Sequence, residues 1–148
     1  MKLEQKVMAS LKEAMKAKDD AGKRALRAIK SAIVLAKTDG SGKELDAAGE
    51  IKLVQKLIKQ RQDSLSIFNE QGREDLAVKE REEIAVIEKF LPKQMDSAEL
   101  ETFIKDIIAK TGASSMRDMG KVMGMASAQL AGRADGKTVS TMVKQLLS

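Results

Sequence analysis

Apolar residues recur at three- and four-residue intervals along most of the chain and nowhere alternate with polar ones, so the pattern predicts helices and no strands. Leu3, Val7, Leu11 and Ala14 mark the inner face of a first helix reaching about Lys18. Leu26, Ile29 and Ile33 mark that of a second, capped by Asp19 or Asp20. Gly40, Ser41 and Gly42 predict a loop. A long third helix runs from after Asp46 to about Gln71 with Ile51, Val54, Ile58, Leu65 and Phe68 inward, and Arg61 occupies the position between Ile58 and Leu65. Gly72 stops it, and a fourth helix from about Glu74 to Leu91 turns Leu76, Ile84, Ile87 and Leu91 inward. Two such helices fold back as a long antiparallel hairpin. Counting equally in both directions from Gly72 sets Arg61 opposite Glu83, with Glu80 one turn away. These three residues are expected to form a structural ion pair around a buried arginine.

Pro92 ends the fourth helix, and residues 1–92 and 93–148 are expected to form separate domains. The second part predicts three short helices. Asp96 and Glu99 open one that reaches Lys110 and closes at Thr111-Gly112; Ser115 caps the next, with Met119, Val122, Met123, Ala126 and Leu130 inward, and Gly132 ends it. Asp135-Gly136 leads into the last, carrying Val139, Met142, Val143, Leu146 and Leu147. The fold class is therefore all-α, a region of four helices built on the long hairpin followed by a small three-helix module.

Composition narrows the chemistry. The 148 residues are 43% hydrophobic and 33% charged with a single proline, as in a globular protein. Histidine, cysteine, tryptophan and tyrosine are all absent, which removes imidazole bases, thiolate nucleophiles and Cys/His metal sites. No catalytic residue, metal or cofactor is expected. Gly42-Lys43 and Gly136-Lys137-Thr138 both lack the first glycine of a phosphate-binding loop at its required spacing, and helix capping accounts for Ser114 and Ser115. The longest apolar run, Ala32 to Ala36, is far short of the roughly 20 residues that span a bilayer, so no membrane partner is expected. The first residues lack the apolar segment of a secretory signal, and a cytoplasmic location is expected.

A net charge of +5 permits an anionic partner such as RNA. The positive charge concentrates in residues 1–37, where ten Lys or Arg face four Asp or Glu, and Lys23, Arg27, Lys30 and Lys37 share one side of the second helix. In the second part, Gly120, Gly124 and Ala128 form a small-residue stripe. Glycine within a helix costs roughly 0.5–1 kcal/mol relative to alanine, so the stripe predicts close approach, by a neighbouring helix or by an RNA backbone or partner helix docking there. Arg117 and Lys121 flank it, and Arg133 and Lys137 stand at the following turn and helix start, where backbone N–H groups also favour phosphate. These four cations are the candidate phosphate clamp, with Lys23, Arg27 and Lys30 as a second candidate contact. With three phenylalanines as the sole aromatics, stacking on single-stranded bases is disfavoured.

The segments Gln60-Arg61-Gln62-Asp63-Ser64, Gly72-Arg73-Glu74-Asp75-Leu76, Phe90-Leu91-Pro92-Lys93-Gln94, Asp118-Met119-Gly120-Lys121-Val122-Met123-Gly124 and Gly132-Arg133-Ala134-Asp135-Gly136 together resemble the GatB/YqeY family over nearly the whole chain. Phe90 stands where the family pattern has tyrosine. The resemblance implies an all-helical N-terminal region and a small helical module. A similar module forms the tail of the B subunit of glutamine-dependent tRNA amidotransferase and is appended to some glutaminyl-tRNA synthetases. It implies tRNA or a tRNA-handling enzyme as partner. The family label is carbon-nitrogen ligase activity with glutamine as amide donor, but this chain lacks the large kinase-like catalytic region of the amidotransferase subunit, so a non-catalytic accessory role is expected. The competing expectation is a protein-interaction adaptor that docks a partner helix on the Gly120, Gly124 and Ala128 face.

Overall fold

The structure is a computed structural model that describes residues 2–39, 44–130 and 132–148. The loop predicted at Gly40 to Gly42 lies outside these residues. Among the described residues there are seven α-helices and no strands. The chain separates into two compact units, Met1–Leu91 and Pro92–Ser148.

The first unit contains α1 (Leu3–Lys16), α2 (Asp20–Lys37), α3 (Ala47–Glu70) and α4 (Glu74–Glu88). Helix α1 packs on α2, α2 on α4, and α3 runs against α4 as the hairpin. Val7, Ala25, Leu26, Ile29, Ile33, Val54 and Ile87 are each at most 2% exposed, and burial of each larger aliphatic chain among them contributes about 1.5–3 kcal/mol. Helix α1 ends two residues earlier than its pattern predicts because Lys18 adopts a left-handed conformation (φ 54°) that turns the chain into α2. Asp19, rather than Asp20, caps α2 by accepting the Gly22 N–H at 3.0 Å. A Cβ at position 22 would lie 2.4 Å from an Asp19 carboxylate oxygen and 3.3 Å from the Ala14 Cβ, so a larger residue there would displace the Asp19 cap.

Gly72 makes the α3–α4 turn with φ +67°, a conformation that costs a residue with a Cβ about 1–2 kcal/mol. Helix α4 stops at Glu88 instead of Leu91; residues 89–91 wind into tighter turns, with Phe90 N donating to Ile87 O at 3.0 Å, ahead of Pro92. The hairpin's core is also shorter than its apolar stripe. Val54, Leu57 and Ile58 of α3 and Ala77 and Ile87 of α4 are buried, whereas Ile51, Leu65, Phe68, Leu76, Ile84 and Leu91 are half-buried. The core shared with α1 and α2 includes α3 only as far as Ile58 and resumes on α4 at Ile84.

The second unit contains α5 (Ser97–Thr111), a 3-10 turn (Met116–Asp118), α6 (Met119–Gln129) and α7 (Gly136–Leu147). The three helices pack pairwise around Leu100, Ile104, Ile107, Val122, Ala126, Leu130, Val139, Val143 and Leu147. Met119, Met123, Met142 and Leu146 close over this core half-buried. Ser115, expected to cap α6, caps the 3-10 turn that leads directly into it, and α6 itself begins at Met119. Asp118 Oδ2 accepts the Ser114 N–H at 2.9 Å and Ser115 Oγ accepts the Arg117 N–H at 3.4 Å, which holds the intervening residues in the 3-10 turn. Residues 92–95 are fastened to the α6–α7 turn, where Met95 N donates to Arg133 O at 2.9 Å and Gln94 Nε2 to Gly132 O at 2.5 Å.

Candidate functional site

Helix α6 presents its Val122 and Ala126 side to the core and its Gly120, Gly124 and Ala128 side to solvent. The glycines do not serve packing inside the unit: a Cβ built at Gly120 or Gly124 meets nothing within 4 Å. The close approach that the stripe predicts is therefore not made by a neighbouring helix among the described residues, and the backbone of α6 lies open along this face. Arg117 and Lys121 are exposed, four residues apart at the start of α6, on the same side as the open stripe.

Arg133 and Lys137 belong to the other end of α6. Arg133 is half-buried and donates from Nε to the Lys93 carbonyl at 3.2 Å, while Lys137 is exposed in the first turn of α7. With an α6 of 11 residues and thus roughly 16 Å long, Arg117 and Lys121 stand at its start and Arg133 and Lys137 beyond its end. The α7 N-terminus is also partly occupied, because Asp135 accepts the Thr138 N–H at 3.3 Å and its hydroxyl at 3.0 Å. A carboxylate in that position offsets the attraction of the helix start for phosphate.

Ion pairing separates these cations from their neighbours. Among the described residues of the second unit, Lys105 pairs with Glu101 at 3.1 Å and Lys110 with Asp106 at 2.9 Å, both along α5. Asp96, Asp118 and Asp135 are engaged with backbone N–H groups. Arg117, Lys121, Arg133 and Lys137 make no ion pair among the described residues; Arg117, Lys121 and Lys137 are exposed to solvent, while Arg133 is half-buried against the Lys93 carbonyl. The α2 stripe is divided: Lys23 pairs with Asp20 at 3.1 Å and Lys37 with Glu4, whereas Arg27 and Lys30 are exposed and unpaired among the described residues.

The hairpin cluster forms much as its register predicts. Arg61 Nε and Glu83 Oε1 are 3.4 Å apart, and Arg61 Nη1 donates to the Leu57 carbonyl at 3.0 Å. With side chains 15% and 16% exposed the pair is half-buried, not the fully buried arginine that the sequence suggests. Arg24 of α2, which sequence reasoning does not single out, reaches Glu83 at 4.0 Å and Glu82 at 3.7 Å. Glu80 forms no ion pair among the described residues. Partial burial, and after it the Glu83 charge, raises its carboxyl above the ordinary value of 4.5, with Arg61 opposing. The folded chain consequently binds the Glu80 proton more tightly than the unfolded chain, and ionisation of Glu80 costs stability as pH rises from about 4.5 through the raised value. Glu80→Gln should therefore raise the urea midpoint at pH 7 and have no benefit below pH 4, where wild-type Glu80 is already protonated. An unchanged or lowered midpoint at pH 7 would contradict the assignment.

The described residues contain no group of three or more potential metal ligands, and none of the helices is long and apolar enough to cross a membrane. Two all-helical units, the Arg61–Glu83 hairpin and an open, glycine-lined α6 are the defining features. The family model described as Yqey-like protein matches residues 4–147, and the chain belongs to that family. It is 35% identical over 116 residues to a yeast protein named altered inheritance of mitochondria protein 41, mitochondrial, from Vanderwaltozyma polyspora, covering 74% of this chain and 62% of the relative. The protein of the same name from Lachancea thermotolerans is 40% identical over 91 residues, covering 62% and 49%. That from Saccharomyces cerevisiae is 38% identical over the same length and shares. The chain spans about half to three-fifths of the length of these curated relatives.

Proposed function

We propose that this chain is a non-catalytic accessory protein that contacts folded RNA, a tRNA or a tRNA held by its processing enzyme, through the outer face of α6 and the α6–α7 turn. The observation that carries the reading is the open backbone at Gly120 and Gly124 flanked by cations that no carboxylate among the described residues neutralises. A small-residue face admits a ribose-phosphate backbone at close range, and cations spaced along a helix can each engage a separate phosphate. Lysine and arginine without aromatic platforms read phosphate position and shape rather than bases. The absence of histidine and cysteine from these 148 residues supports an assisting role over glutamine-dependent ligase activity.

The expected result is preferential binding to folded tRNA over an unstructured RNA of equal length. The salt slope should be about 3 to 4 log units of affinity per log unit of salt if all four cations touch phosphates. An Arg117, Lys121, Arg133 and Lys137 to Ala variant should lose both the preference and most of that slope. Equal weak binding to both RNAs, unchanged in the variant, would contradict the reading. The same open face supports a second reading, a helix of a partner protein packed against Gly120, Gly124 and Ala128. The cation variant separates the two: it abolishes RNA binding and leaves a partner helix free to pack, whereas Gly124→Leu obstructs the close approach that both readings require.

A further inference from the structure

A second surface, in the first unit, has a different chemistry. Glu4 of α1 pairs with Lys37 of α2, which fixes which sides of these two helices meet at their common edge. Met8 and Met15 follow Glu4 on that side of α1, seven residues apart, and Lys30 and Lys23 precede Lys37 on that side of α2 at the same seven-residue interval. The Glu4 carboxyl is held below its ordinary value chiefly by Lys37, and the Lys30 charge contributes, consistent with Lys30 lying along the same seam. For two antiparallel helices joined at Glu4 and Lys37, Met8 falls between the levels of Lys37 and Lys30, and Met15 between those of Lys30 and Lys23. Met8, Met15 and Val34 are 36%, 54% and 48% exposed, among the few large apolar side chains that the unit leaves in solvent. Lys12, Arg27 and Lys30 beside them are exposed and make no ion pair among the described residues.

We infer that the α1–α2 seam is a docking site for an acidic amphipathic helix of a partner protein. Apolar side chains repeating every seven residues on that helix would seat on Met8 and Met15, and its flanking carboxylates would meet Lys12, Arg27 and Lys30. Seven residues of α-helix advance about 10.5 Å, so the methionine interval and the lysine interval both match the repeat of a third helix laid along the seam. Methionine side chains adapt to apolar partners and contribute little to phosphate, so this alternation favours a helix over a nucleic acid.

The test uses the full chain and a labelled three-heptad helical peptide with leucine at every seventh position and glutamate on both sides of it. A peptide of the same composition in scrambled order is the control. The designed peptide is expected to bind and to shift the amide signals of α1 and α2, with roughly tenfold weaker binding by the scrambled peptide. Met8→Gln with Met15→Gln, both at exposed positions, should weaken binding of the designed peptide by a similar factor while leaving the circular dichroism spectrum unchanged. Failure of the designed peptide to bind would overturn the inference, as would equal binding of the scrambled peptide. So would tRNA occupying the seam with an affinity that the methionine substitutions leave unaltered, since the surface would then be a simple cationic stripe.

Discussion

Ile104→Ala is expected to cost the Pro92–Ser148 unit about 2–5 kcal/mol, the range for removing a fully buried isoleucine side chain to the β-carbon. Ile104 is 0% exposed at the middle of α5 and lies in the core with Val122 and Ala126 of α6 and Val139 and Val143 of α7. A unit of roughly 60 residues buries a modest fraction of its chain and has about 3–9 kcal/mol of stability at typical values per residue. The substitution therefore consumes much of the total. Amide hydrogen exchange of α6 and α7 in the full chain should accelerate by at least a factor of about 30, the lower end of that cost. An effect below about threefold would mean that α5 is not the keystone of this core.

Arg61→Ala is expected to destabilise the α3–α4 hairpin by about 1–3 kcal/mol, less than a fully buried pair costs because both partners retain some solvent. The loss comes from what is left behind. Glu83 would retain only Arg24 at 4.0 Å, and Glu80 would lose the one charge that opposes its neighbour. In a double-mutant cycle Arg61→Ala and Glu83→Ala should couple by roughly 0.5–2 kcal/mol, whereas Arg61→Leu with Glu83→Leu should approach wild-type stability because no carboxylate remains unpaired between them. The readout is the exchange rate of α3 and α4 amides. Additive single substitutions would show that the register is set by the apolar stripe alone.

The hairpin register was legible in the sequence because Gly72 is a local signal and antiparallel helices then pair by counting. Arg24 was not, since nothing local specifies that α2 lies across α4 at residues 82 and 83. The same non-local packing explains why Leu65, Phe68 and Leu76 share a stripe with Val54 and Ile58 yet remain half-buried: periodicity gives the inner face of a helix but not how far neighbouring helices extend along it. Asp135 illustrates a different limit. The sequence places Asp135-Gly136 ahead of α7, but that the Asp135 carboxylate occupies the helix start, where backbone N–H groups favour phosphate, follows from the Thr138 N–H and hydroxyl that it accepts. The open face of α6 reverses the more ordinary explanation of its glycines, because the sequence specifies that Gly120 and Gly124 are small without specifying what, if anything, lies against them.

Titration of the isotopically labelled full chain with folded tRNA, followed by backbone amide shifts, tests the central claim most directly. The account predicts that the largest shifts fall along Arg117 to Ala128 and around Arg133 to Lys137, and that raising the salt concentration erases them in step with the loss of affinity. Shifts that avoid α6 and the α6–α7 turn, or an absence of shifts at low salt, would contradict it.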